Sequence, residues 1–119
     1  MTGRIVLIED DPDIAALVAE MLTEVGHQVE ACSRLPETTD TDAHLVITDL
    51  LAMRSYDLAT ARDWIARVRA AFPKASVIVS TAHALAASAG APTLGADAVL
   101  TKPFDIAVFT ETVESLLGA

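Results

Sequence analysis

Four short apolar runs in this chain each stop at side chains able to do chemistry. RIVLI runs into Glu9-Asp10-Asp11, LVIT into Asp49, ASVIVS into Thr81, and GADAVL into Thr101-Lys102. If these runs are strands pointing the same way, several carboxylates, a hydroxyl and an ammonium meet in one crevice. Two carboxylates about 4 Å apart repel by roughly 4 kcal/mol at an effective dielectric near 20, so the cluster calls for a cation. Mg²⁺ suits it, because that ion takes a few carboxylate oxygens together with water and phosphate. One carboxylate can then attack phosphorus as a nucleophile, and a nearby ammonium stabilises charge on the transferring oxygens.

Each residue also has a plainer reading. Asp11 stands before Pro12 and suits a helix cap. Thr81 can equally begin a helix at Ala82. Lys102 alone reads as a solvated lysine, although Pro103 beside it restricts its backbone. Asp49 has no helix start directly behind it, so capping explains it poorly. The signal lies in the combination.

Positioning these groups requires alternating elements. Strands are expected at 4–8, 27–32, 45–48, 75–80 and near 95–100. A helix after Pro12 carries Ile14, Leu17, Val18, Met21, Leu22 and Val25 at spacings of three and four, and Gly26 ends it. Ser33 to Ala43 is polar, carries Pro36 and has room for one irregular helical turn at most. A helix over 58–72 is capped by Asp57 and closed by Pro73, and one over 82–91 is cut off by Pro92. The last helix starts at Asp105 and presents Ile106, Phe109, Val113, Leu116 and Leu117. Trp64 and Phe72 fall at helical positions and read as core. Five alternations of strand and helix predict an α/β fold, a doubly wound parallel sheet with helices on both faces. In such a sheet the functional groups gather beyond the carboxyl ends of the strands.

Hydrophobic residues form 52% of the chain and aromatics only 4%, so aliphatic side chains must build the core. A formal net charge of -9 argues against a nucleic-acid surface and fits cations or basic partners. Cys32 is the single cysteine, which rules out an intrachain disulfide and suits a reducing cytoplasm. His27, His44 and His83 lack zinc-ligand spacing. No stretch approaches ~18 consecutive apolar residues, so no membrane span is expected. The whole of 1–119 reads as one domain.

IVLIEDDP, LVITDL, VIVSTAH and GADAVLTKPF, in that order along the whole chain, resemble the receiver domain of bacterial two-component response regulators. The resemblance implies the flavodoxin-like strand order 2-1-3-4-5. It implies Mg²⁺ held by Asp10 and Asp49 directly, by Glu9 through water and by the backbone carbonyl of Leu51. Asp49 is then the phosphoacceptor, Thr81 the switch hydroxyl and Lys102 the partner of a phosphoryl oxygen, with a cis Lys102-Pro103 bond. The implied phosphodonor is a sensor histidine kinase, a phosphotransfer protein or a small phosphodonor. The implied output goes to a downstream protein or effector, with no turnover of an independent substrate.

The sequence departs from the family pattern at several positions. Met53 and Asp57 stand where proline and glycine are usual, and Val99 replaces the usual switch aromatic. The segment after the second strand is short, and HALAASAGA gives small residues to the helix after Thr81. A weaker or non-standard switch is the expectation. Leu51 and His83 flank the route of the hydrolytic water in family members. The main alternative is a binding module of the same fold that works without phosphorylation. Haloacid-dehalogenase and Toprim readings lack their DxDxT and DxD runs, and no GxGxxG follows the first strand.

Overall fold

A computed structural model of the chain describes residues 3–40, 42–50 and 56–118. Among them run β1 (Arg4–Ile8), α1 (Pro12–Glu24), β2 (Gln28–Cys32), β3 (Leu45–Thr48), α2 (Leu58–Ala71), β4 (Ser76–Thr81), α3 (Ala84–Ala89), α4 (Ala91–Leu94), β5 (Ala98–Thr101) and α5 (Ile106–Leu116). The strands form one parallel sheet in the order β2-β1-β3-β4-β5, as the resemblance implies. No helix among the described residues is long and apolar enough to cross a membrane.

Strand alternation splits the core into two layers. Ile5, Leu7, Leu45, Ile47 and Ile78 face one side, where Val18 and Leu22 of α1 and Phe109 and Val113 of α5 cover them. Val6, Ile8, Val46, Val77 and Val79 face the other, under Ala61, Ile65 and Val68 of α2, Ala86 of α3 and Leu94 of α4. Burial on both faces explains why the central strands are continuously apolar. Full burial of one such side chain contributes about 1.5–3 kcal/mol, so this aliphatic core needs few aromatics.

Helix ends follow the polar residues. Asp11 Oδ1 accepts from the amides of Asp13 and Ile14, Asp57 Oδ2 from that of Thr60, and Asp105 Oδ1 from those of Ala107 and Val108. The predicted single helix over 82–91 is instead two short helices. Gly90 breaks them at φ 83° and ψ 161°, a conformation outside any helix, and Pro92 lies in the first turn of α4 rather than ending a helix. The predicted apolar faces of α1 and α5 are also wider than the buried ones. Leu17, Val25 and Ile106 are exposed.

His27, read from the sequence only as lacking zinc-ligand spacing, is buried. Its Nδ1 accepts from the Gly3 amide at 3.0 Å, which makes Nε2 the donor to Glu114 Oε1 at 2.9 Å. This links the start of β1 to the end of α5.

No helix lies between β2 and β3 among the described residues; a strap runs there instead, pinned by Asp40. Its Oδ2 meets Arg4 Nη1 at 2.6 Å and its Oδ1 accepts from the amides of Asp42 and Ala43, while its own amide donates to the Ala71 carbonyl. The hydrogen bond from Arg4, with the backbone donors, holds the Asp40 carboxyl below the usual carboxylate range. Stability from a lowered carboxylate is present above its unfolded value, about 3.9, and is lost as pH falls through the folded one. Asp40→Asn should therefore be less stable than wild type in urea at neutral pH, with the difference shrinking below about pH 3.9. A difference that stays constant into acid would contradict the role given to this charge.

Candidate functional site

Three backbone hydrogen bonds carry the sheet one residue beyond its strands, and each places a polar side chain. The Glu9 amide donates to the Cys32 carbonyl at 2.9 Å, the Asp49 amide to Ile8 at 2.9 Å, and the Lys102 amide to Thr81 at 2.8 Å. Glu9, Asp49 and Lys102 thus leave the carboxyl ends of β1, β3 and β5 at one edge of the sheet in a fixed register. Asp10 follows Glu9 and is exposed, while Asp11 turns away to cap α1.

The Lys102 Nζ lies 2.5 Å from Glu9 Oε1 and 3.4 Å from Asp49 Oδ1. Glu9 is the buried member, with 3% of its side chain exposed against 18% for Asp49. Its second oxygen, Oε2, accepts from the Asp11 amide at 3.3 Å. Burial pushes the Glu9 carboxyl up; the Lys102 and Asp11 hydrogen bonds pull against it, and the Asp49 charge adds to the rise.

One carboxylate oxygen each from Glu9, Asp10 and Asp49 lies within 4.8 Å of the others. Hard oxygen donors this close fit a small divalent cation and repel one another without a positive charge. Thr81 is fully buried at the end of β4, and its Oγ1 accepts from the His83 amide at 3.0 Å. That bond tightens the turn into α3, which begins at Ala84 with His83 at its N-cap, so Thr81 does not begin a helix at Ala82. The Lys102-Pro103 peptide is cis. Val99 packs part-buried against the α2 layer. Leu51 and Met53 lie outside the described residues.

Sequence reasoning missed a second feature of the site. Trp64 Nε1 donates to Thr48 Oγ1 at 2.9 Å, and Thr48 donates to the Asp49 carbonyl at 2.8 Å. Trp64 is therefore more than core. The available signal was a hydroxyl at the end of a strand that is otherwise apolar.

Known proteins can be set beside this geometry. The sequence matches the response regulator receiver domain family over residues 5–114. No curated protein matches it significantly. Among solved structures, a response regulator receiver protein from Burkholderia phymatum is 23% identical, with 98% of this chain and 95% of that one covered and a TM-score of 0.71. A CheY-like receiver domain protein from Methanospirillum hungatei is 21% identical, with 98% and 94% covered and a TM-score of 0.75. The response regulator TrrA from Thermotoga maritima, in complex with Mg(2+)-BeF, is 23% identical, with 96% and 98% covered and a TM-score of 0.69. These likenesses support the fold, while the family match spans most of the chain. On that match, this chain belongs to the response regulator receiver domain family.

Proposed function

We propose that this receiver domain accepts a phosphoryl group on Asp49 in the presence of Mg²⁺ and works as a signalling switch. The observation that carries the reading is the Lys102 ammonium reaching both Glu9 and Asp49 at the carboxyl edge of the sheet. TrrA with Mg(2+)-BeF, and the DrrB receiver domain described as BeF3 activated, lend it support by likeness of fold.

Glu9, Asp10 and Asp49, with the Leu51 carbonyl, would hold the cation. When bound, Mg²⁺ supplies charge neutralisation for the acids and for the transferring phosphoryl oxygens. Asp49 attacks phosphorus through a carboxylate oxygen as the bond to the donor breaks, forming an acyl phosphate. Lys102 leaves Glu9 to pair with a phosphoryl oxygen, and the Thr81 hydroxyl turns from the His83 amide toward the same group. Water later cleaves the acyl phosphate and restores Asp49. The donor is a histidine kinase, a phosphotransfer protein or a small acyl phosphate, and the output is a protein partner in the cytoplasm. The domain assists only its own modification.

Incubation with acetyl phosphate and Mg²⁺ should add one phosphoryl group to the intact mass, and Asp49→Asn or removal of the metal should abolish it. An unchanged wild-type mass would favour a binding module that works without phosphorylation. Lys102 bears on the metal as well. Its ammonium occupies the acids that the metal would use, and like charges about 4 Å apart at an effective dielectric near 20 oppose each other by roughly 4 kcal/mol before solvent screening. Lys102→Met should bind Mg²⁺ about tenfold more tightly in calorimetry, yet take up phosphoryl more slowly. Weaker Mg²⁺ binding in that variant would contradict the competition.

A further inference from the structure

Outside the cluster of acids and lysine, Trp64 and Thr48 form a hydrogen-bonded chain that ends on the backbone of Asp49 itself. An indole N–H can only donate, whereas a hydroxyl both accepts and donates. The chain therefore runs from Trp64 Nε1 to Thr48 Oγ1 at 2.9 Å, and from Thr48 to the Asp49 carbonyl at 2.8 Å. Thr48 is fully buried in a strand whose other residues are Leu45, Val46 and Ile47. A hydroxyl there costs free energy unless it is bonded on the spot, and valine would fill the same space.

The geometry at Asp49 shows what the hydroxyl does. β3 ends at Thr48, so the Asp49 carbonyl lies beyond the strand ladder. Its amide is held by the Ile8 carbonyl at 2.9 Å and its own carbonyl by Thr48. Both peptide planes flanking its Cα are thereby fixed. Because φ and ψ are the only soft backbone dihedrals of a residue, the direction of the Asp49 Cα–Cβ bond, from which its carboxylate extends, is held with them. Trp64 is itself held in α2, packed against the core, with the Arg67 guanidinium 5.6 Å from its ring centroid.

We propose that Thr48 and Trp64 are positioning residues for the acceptor Asp49, and that the Trp64 indole responds to what binds there. The proposal rests on Asp49 being the phosphoacceptor. Small misplacements of a reacting group are costly in rate, so a loosened Asp49 peptide slows attack on phosphorus without removing any group that touches it.

The test compares acetyl phosphate labelling rates, with Mg²⁺, of wild type, Thr48→Val, Thr48→Ser, Trp64→Phe and the Val/Phe double variant, with thermal melts alongside. Loss of one hydrogen bond corresponds to about a three- to tenfold slower rate. Thr48→Val and Trp64→Phe should each slow labelling by that amount, and Thr48→Ser should label as wild type does. The double variant should be little slower than either single change, because both break the same chain. Trp64 is the only tryptophan. Its fluorescence should change when Mg²⁺ and beryllofluoride are added to wild type and Thr48→Ser, and stay flat in Thr48→Val. If Thr48→Val melts, Trp64→Phe still decides, since it removes the donor while keeping an aromatic ring at a half-buried position. Single variants that label at the wild-type rate, or a Thr48→Ser as slow as Thr48→Val, would overturn the proposal while leaving the acceptor in place. A wild type that gains no phosphoryl group would overturn both.

Discussion

An ammonium group held between carboxylates from different strands is the constraint on which the rest of this molecule depends. Lys102 follows β5, Glu9 follows β1 and Asp49 follows β3, and only a parallel sheet brings those three ends to one edge. Glu9 is nearly removed from water, where an unpaired carboxylate is costly, and its salt bridge with Lys102 opposes the rise in its pKa. The ammonium is therefore the protein's own counter-ion for acids that also fit a metal. In the function proposed, the ammonium gives up this pairing as a metal and a phosphoryl group arrive at Asp49.

The surroundings divide into rigid and reduced parts. Ladder bonds past β1, β3 and β5, together with the Thr48–Trp64 chain, hold the backbone at Glu9, Asp49 and Lys102. The region behind Thr81 is built differently. α3 and α4 are short helices separated by Gly90, with Ala86 and Leu94 as their buried residues, and Val99 stands where the family has an aromatic. Any signal leaving Thr81 along this route has small side chains to move. Between β2 and β3 the Asp40 strap is likewise held by one ion pair and turn bonds rather than by a helix among the described residues.

The sheet was legible in the sequence because its central strands are apolar on both faces and each stops at a polar residue. The same punctuation exposed Glu9, Asp10, Asp49, Thr81 and Lys102. What escaped depended on packing across the sheet. Nothing in the spacing of Thr48 and Trp64 couples a strand end to the middle of a later helix, and His27 finds Glu114 only once α5 lies beside β1. Pro92 was read as a helix stop, although proline is tolerated in a first turn and the break belongs to Gly90. The stripes on α1 and α5 showed which residues can face a core, but tertiary packing decides which do, and Leu17 and Ile106 stay in solvent.

The central claim is that this edge receives a phosphoryl group at Asp49 with a metal beside it. The most direct measurement is ¹⁹F NMR of the protein with beryllofluoride, with and without Mg²⁺. A bound fluoride signal that needs Mg²⁺ and is absent in Asp49→Asn is the predicted result. A signal that persists in Asp49→Asn, or none in wild type at saturating Mg²⁺, would contradict the account.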